Sequence, residues 1–343
     1  MIVGDALYFG NAKGDVFALH RQSSYPLWHA HLPGAIDGAL AYGRSKIFAG
    51  DSQGNLVAIG AHNGGELWRF KIQAEWLAAP VSVRDRLFVA SSNDELYALS
   101  EKGKELWHYS QKGDEKMTIR GTASPAVFGT EVFQGFSNGF LVALSVADGK
   151  ELWKKRLRSK DRFYDIDMLP YVDEKNVIVA TFDGNVFCLD RTTGNTNWVF
   201  HAGSYGGFLV EQDIVYFAGL DGNVYALKRS TGEVVWKTPF GKGVGLTPAR
   251  AGDYLVVTTS GDPVYVIDPK NGKIVWTTHL GAGSFAAAVG HPDGWFYCIS
   301  NYGNLHSFQI MPSVTVRTGP QTLPQPQALH RYLVEPDTNQ NPS

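Results

Sequence analysis

A tryptophan returns at nearly constant intervals along the chain, each time closing a short apolar strand that follows a glycine-containing turn. The copies are HNGGELW to Trp68, EKGKELW to Trp107, ADGKELW to Trp153, TTGNTNW to Trp198, STGEVVW to Trp236 and KNGKIVW to Trp276. SSYPLW, ending at Trp28, is a degenerate first copy. Successive spacings of 40, 39, 46, 45, 38 and 40 residues fall in the range of propeller blades and exceed that of leucine-rich repeats. A bulky apolar side chain at one fixed place per unit reads as a wedge between neighbouring sheets, its indole N–H bonded to nearby backbone. The tryptophans are therefore core and not a row of stacking platforms.

Within each unit the alternation is that of pleated ribbons rich in β-branched residues. NVIVATF is followed by an Asp183-Gly184 turn, NVFCLD, a turn with Gly194, and NTNWVF; IVYFAGL, Asp221-Gly222, NVYALK, Gly232 and EVVWKT repeat the plan. Glycine supplies the left-handed backbone of such hairpins. The prediction is an all-β chain, an eight-bladed β-propeller of four-stranded antiparallel blades over residues 1–310, with a Pro-rich tail over 311–343. The first blade is expected to lack its innermost strand and the last its Trp strand. Residues upstream of Met1, or the tail through SVTVRTG, would then seal the ring, because an open sheet edge invites association.

The rest of the composition is that of an ordinary globular protein: 343 residues, 44% hydrophobic and 19% charged, with a formal net charge of -2. That balance gives no electrostatic reason to expect nucleic acid or an anionic membrane as partner. Cys188 and Cys298 are 110 positions apart, without metal-ligand spacing, and read as small buried apolar residues. No apolar run approaches the ~18 residues of a membrane span. The chain as written shows no secretion signal, which the loss of upstream residues would explain.

One stretch resists a purely architectural reading. RFYDIDMLPYV, Arg162 to Val172, carries two acids one residue apart. If the stretch is extended, Asp165 and Asp167 point to the same side and repel. Aligning the units at the proline that opens the innermost strand (Pro80, Pro125, Pro170, Pro248) and counting back five positions gives Glu75, Arg120, Asp165 and Gly243. Three neighbouring blades thus present acid, base and acid at one end. Two readings stay open: Arg120 pairs internally with Asp165 or Asp167, or these charges face a partner.

The Trp-closed units resemble the quinoprotein-type (PQQ-like) propeller repeat over residues 2–310. More specifically, TIRGTASPAVFG from Thr118 and YDIDMLPYV from Tyr164 resemble two marker segments of the BamB family, propeller lipoproteins of the outer-membrane protein assembly machinery. The resemblance implies a non-enzymatic scaffold at the periplasmic face of the outer membrane, without cofactor. Its partner would be the periplasmic domains of the BamA-type insertase, met through Arg120, Asp165 and Asp167 with Met117 and Ile119 beside them. The family's signal peptide and lipid-bearing cysteine are not found in the chain as written.

The competing enzyme class is a quinone-dependent dehydrogenase, which uses the same repeat but resembles larger chains with calcium, a catalytic Asp and often a disulfide of neighbouring cysteines. Remote cysteines, scattered histidines without HExxH, and the lack of a calcium-ligand cluster or Gly-rich phosphate cradle argue against it. A general periplasmic interaction platform is the remaining alternative.

Overall fold

The computed structural model describes residues 1–111, 123–157, 165–182 and 184–311. The chain divides into two compact units, Met1–Ile310 and Met311–Ser343, and all that follows concerns the first. Its strands form eight antiparallel sheets that follow one another along the chain, seven of four strands and the last of three. No helix occurs among the described residues. This is the expected eight-bladed propeller.

Blade one comprises Ile2–Val3, Ala6–Gly10, Asp15–His20 and Pro26–His31. Its four strands correct the expectation of three, since Ile2 pairs with Leu7 and Val3 with Ala6. Two residues before a turn at Gly4 are too short a run for a period-two pattern to register. Blade five comprises Tyr171–Val172, Asn176–Thr181, Asn185–Asp190 and Thr196–Phe200. Blade eight holds Val289–Gly290, Trp295–Ile299 and Leu305–Gln309. Counting along the chain, the strands of blades two, three, four, six and seven lie within 41–71, 81–110, 126–156, 209–239 and 249–278.

Burial explains the sequence patterns. Each blade's second and third strands are covered on both faces by neighbouring blades, so Asn176–Thr181 is a continuous apolar run with five buried residues in succession. That is how a strand buried on both sides reads. The fourth strand lies at the circumference, and Glu151–Arg156 carries charge on its exposed side. The core is a ring of clusters between blades; in one, Met168, Ile178 and Cys188 of blade five pack with Val215, Phe217 and Leu227 of blade six.

The tryptophan is the fastener between blades. Trp153 of blade four donates its indole N–H to the Arg191 carbonyl of blade five at 2.8 Å, and Trp28, Trp68, Trp107, Trp198 and Trp236 make the equivalent bond to the next blade at 2.8–3.1 Å. Gly194, at φ +69°, lies over the Trp153 ring so closely that a Cβ there would come within 2.8 Å of it. The glycine thus serves both the turn and the close approach. Opposite the fourth-strand tryptophans of blades one to six stands a small residue followed by a register shift: Ala143 faces Trp153, and Cys188 takes the same place opposite Trp198. Both cysteines are free and buried, in different blades, as the sequence implied.

Blades one and eight meet through Arg21, which is 8% exposed. Its Nη1 lies 2.9 Å from Asp293 and its Nε 3.6 Å from Asp5. The Tyr297 hydroxyl donates to the Arg21 carbonyl at 2.9 Å.

Candidate partner-binding rim

In a four-stranded meander the loop before the first strand and the turn between the second and third strands lie at the same end of the blade. Backbone bonds tie the two together in successive units. Ser52 N–H donates to Ala35 O at 2.9 Å, Ser92 to Glu75 at 2.9 Å and Phe182 to Asp165 at 3.1 Å. Glu75 and Asp165 therefore occupy equivalent places on one rim, as the repeat count predicts. In the unit opening at Pro248 the bond is taken by Val244, from Ser260 at 2.9 Å. This is one residue later than the predicted Gly243, because the two loops differ in length by a residue.

The paired acids flank a core residue. Ile166 is fully buried against Phe133, Val177 and Val179, where it fills the space left by Gly135, a residue whose Cβ would fall 2.2 Å from the isoleucine Cγ2. Met168 is drawn into the next interblade cluster, while Leu169 turns outward at 48% exposure. The segment is a packed loop, and the strand begins only at Tyr171.

Asp165 and Asp167 do share a side, but not as an open receptor. Asp165 is 3% exposed, and Asp167 Oδ1 is buried without a hydrogen-bond donor among the described residues. The nearby Ser204 hydroxyl has its single proton committed to the carbonyls of Ala218 and Gly206, 2.7 and 2.9 Å from its Oγ. Burial pushes the Asp167 carboxyl up to about 7, with the charges of Asp165 and Asp94 adding to the shift. Ionised, its Oδ1 has no donor among the described residues to offset removing a charge from water. With Met168, Phe182, Ser204 and Tyr205 it lines a small depression on the rim, and Tyr205 stands over it half exposed.

Met117, Ile119 and Arg120 lie outside the described residues. Sequence reasoning missed Asp94, Leu169 and Tyr205. Asp94 had left a signal: in SSNDEL it stands where DSQGNL and NAKGDV carry glycine, and it adopts the same left-handed conformation at φ 59°, which Asp tolerates better than most residues. Its carboxylate accepts from the Ser137 N–H at 3.0 Å and from the Ser137 hydroxyl, linking blades three and four beneath the rim.

A ring of eight antiparallel sheets, fastened blade to blade by a recurring tryptophan, defines a propeller of the quinoprotein repeat type. The family described as outer membrane protein assembly factor BamB matches residues 12–238 and 221–308, and the chain belongs to that family. It is 27% identical over 218 residues to the BamB of Nitrosomonas eutropha, covering 62% of this chain and 53% of that protein. It is 25% identical over 231 residues to the BamB of Yersinia pestis, covering 62% and 58%. The matched region thus spans little more than half the length of these curated relatives.

In fold, the chain is similar to the crystal structure of BamB from Moraxella catarrhalis, with a TM-score of 0.77, 22% identity, and 90% and 95% of the two chains covered. The quinohemoprotein alcohol dehydrogenase of Comamonas testosteroni is similar at a TM-score of 0.72 and 15% identity, over 88% of this chain and 70% of that one. Likeness at that identity speaks to the fold alone.

Proposed function

We propose that this chain is a non-enzymatic scaffold of outer-membrane β-barrel protein assembly, working at the periplasmic face of that membrane and binding the periplasmic domains of a BamA-type insertase through the Asp165–Asp167 rim. The observation that carries the reading is the Asp167 carboxylate, held at the rim with a buried oxygen that none of the described residues bonds. A guanidinium or ammonium from a partner would supply both the missing hydrogen bond and the opposite charge. Such charge-assisted contacts gain most where water is excluded. Leu169 and Tyr205, both about half exposed, would furnish the apolar surround. Arg120, Met117 and Ile119 would complete the contact surface, with Asp165 beneath it. Family membership supports the assembly role.

The test separates binding from folding through the single variant Asp167→Asn, which keeps the side-chain shape and removes the charge. Retention of the full chain on immobilised insertase periplasmic domains should fall at least about tenfold, with the melting temperature undiminished. Undiminished retention by the folded variant would contradict the proposal.

A further inference from the structure

At the end opposite the rim, a two-residue turn joining the first and second strands recurs in six blades, as Gly4-Asp5, Arg44-Ser45, Arg84-Asp85, Gly129-Thr130, Gln212-Asp213 and Gly252-Asp253. Its first residue is left-handed in all six, at φ 49–61°. Glycine takes that conformation without steric cost, and blades one, four and seven use it. Blades two and three instead place arginine there, a residue for which the left-handed region is strained. The turn itself does not need the side chain, so the strain points to a use outside the turn.

The two arginines stand on neighbouring blades and are exposed. Glu101 answers Arg44 Nη1 at 2.7 Å and Lys46 Nζ at 2.6 Å, one carboxylate for two cations. Arg84 forms no ion pair among the described residues, and Lys102 and Lys104 in the adjoining turn of blade three are exposed. The corner thus carries a local excess of positive charge that the chain's net charge of -2 conceals. Elsewhere on this face the same turns end in acid, at Asp5, Asp213 and Asp253, so an anionic surface would meet the corner and not the whole face. Between the arginines lies a shallow notch lined by Gly43, Phe48 and Ser82, too small to seat a peptide side chain. The hairpin tips project, which suits a flat partner. Tyr25, Leu67 and Leu106 are exposed beside the corner, where the circumferential strands of blades one to three begin at the same end. Exposed tyrosine and leucine next to basic side chains are the pairing that membrane surfaces select.

We propose that the Arg44–Arg84 corner docks on an anionic phospholipid bilayer, its guanidinium groups pairing with headgroup phosphates while Tyr25, Leu67 and Leu106 enter the interfacial layer. The guanidinium fork matches phosphate oxygens in two-point contacts. Each basic side chain near such a surface adds to the attraction until salt screens it. The contact lies at the other end of the blades from Asp167 and needs neither the rim nor the insertase.

Flotation of the full chain with vesicles of mixed phosphatidylcholine and phosphatidylglycerol, against vesicles of phosphatidylcholine alone, tests the proposal. The chain should float with the anionic vesicles at low salt and be released as salt is raised. The double variant Arg44→Gly/Arg84→Gly installs the residue that the sister blades use, so its melting temperature should hold or rise. Its affinity for the anionic vesicles should fall at least about tenfold. Lys270→Ala/Lys273→Ala removes two exposed charges from a blade-seven turn at the same end and should change that affinity far less. Equal binding to neutral vesicles, or equal losses from the two double variants, would overturn the proposal. So would a wild-type chain that does not float with the anionic vesicles, a result that would leave an acidic protein segment as the corner's partner.

Discussion

Asp167 makes the rim pH-sensitive in two measurable ways. An unfolded aspartate titrates near 3.9, while burial holds the folded group near 7. Between those values the folded chain binds the proton more tightly than the unfolded chain. Stability therefore declines as pH rises through that window, and the loss is complete above about 7. Asp167→Asn should consequently raise the melting temperature at pH 8 and leave it almost unchanged at pH 4; an equal gain at both would mean that charge is not the cause. Binding should run the other way. A cationic partner needs the ionised acid, so wild-type retention of the insertase domains should increase from pH 6 to pH 8, while that of Asp167→Asn stays flat.

At the scale of the element, the contact between Ile166 and Gly135 couples the rim to the core. Gly135→Ala would drive a methyl into the isoleucine side chain, and the shift needed to relieve it should cost about 1–3 kcal/mol. Because Asp165 and Asp167 are the neighbours of Ile166, the same variant should weaken partner retention more than an equally destabilising change at the opposite rim. A urea titration paired with the retention assay checks both. Much of this element was legible in the sequence. The proline alignment put Glu75 and Asp165 at equivalent places, and the one-residue spacing put two acids on one side. What could not be read was their depth: periodicity shows which side a residue takes, but the Asp165 side chain is buried by packing between blades. The shift from Gly243 to Val244 was hidden for a related reason, since counting from a proline assumes loops of equal length.

For the whole molecule, the Trp-and-glycine turns specify the ring because each fastener joins consecutive blades across a nearly constant interval. Closure is different. The Tyr297 hydroxyl and the Arg21 carbonyl lie 276 positions apart, and no repeat announces a contact made once. Removing one partner of a buried ion pair leaves the other uncompensated. Since Asp293 is partly exposed, Arg21→Ala should cost on the order of 2–3 kcal/mol. In a double-mutant cycle with Asp293→Ala the two losses should fall short of adding; strict additivity in the denaturation midpoints would show that Arg21 acts through packing alone.

The central claim is that one end of the propeller, the end bearing Asp167, meets the insertase. The most direct measurement places a photo-crosslinking amino acid at Tyr205, beside Asp167, and in a second variant at Ser230, an exposed residue in a third-to-fourth-strand turn at the opposite end. Irradiation with the insertase periplasmic domains should yield a crosslinked species from position 205 and none from position 230. Crosslinking from position 230 alone, or equally from both, would contradict the account.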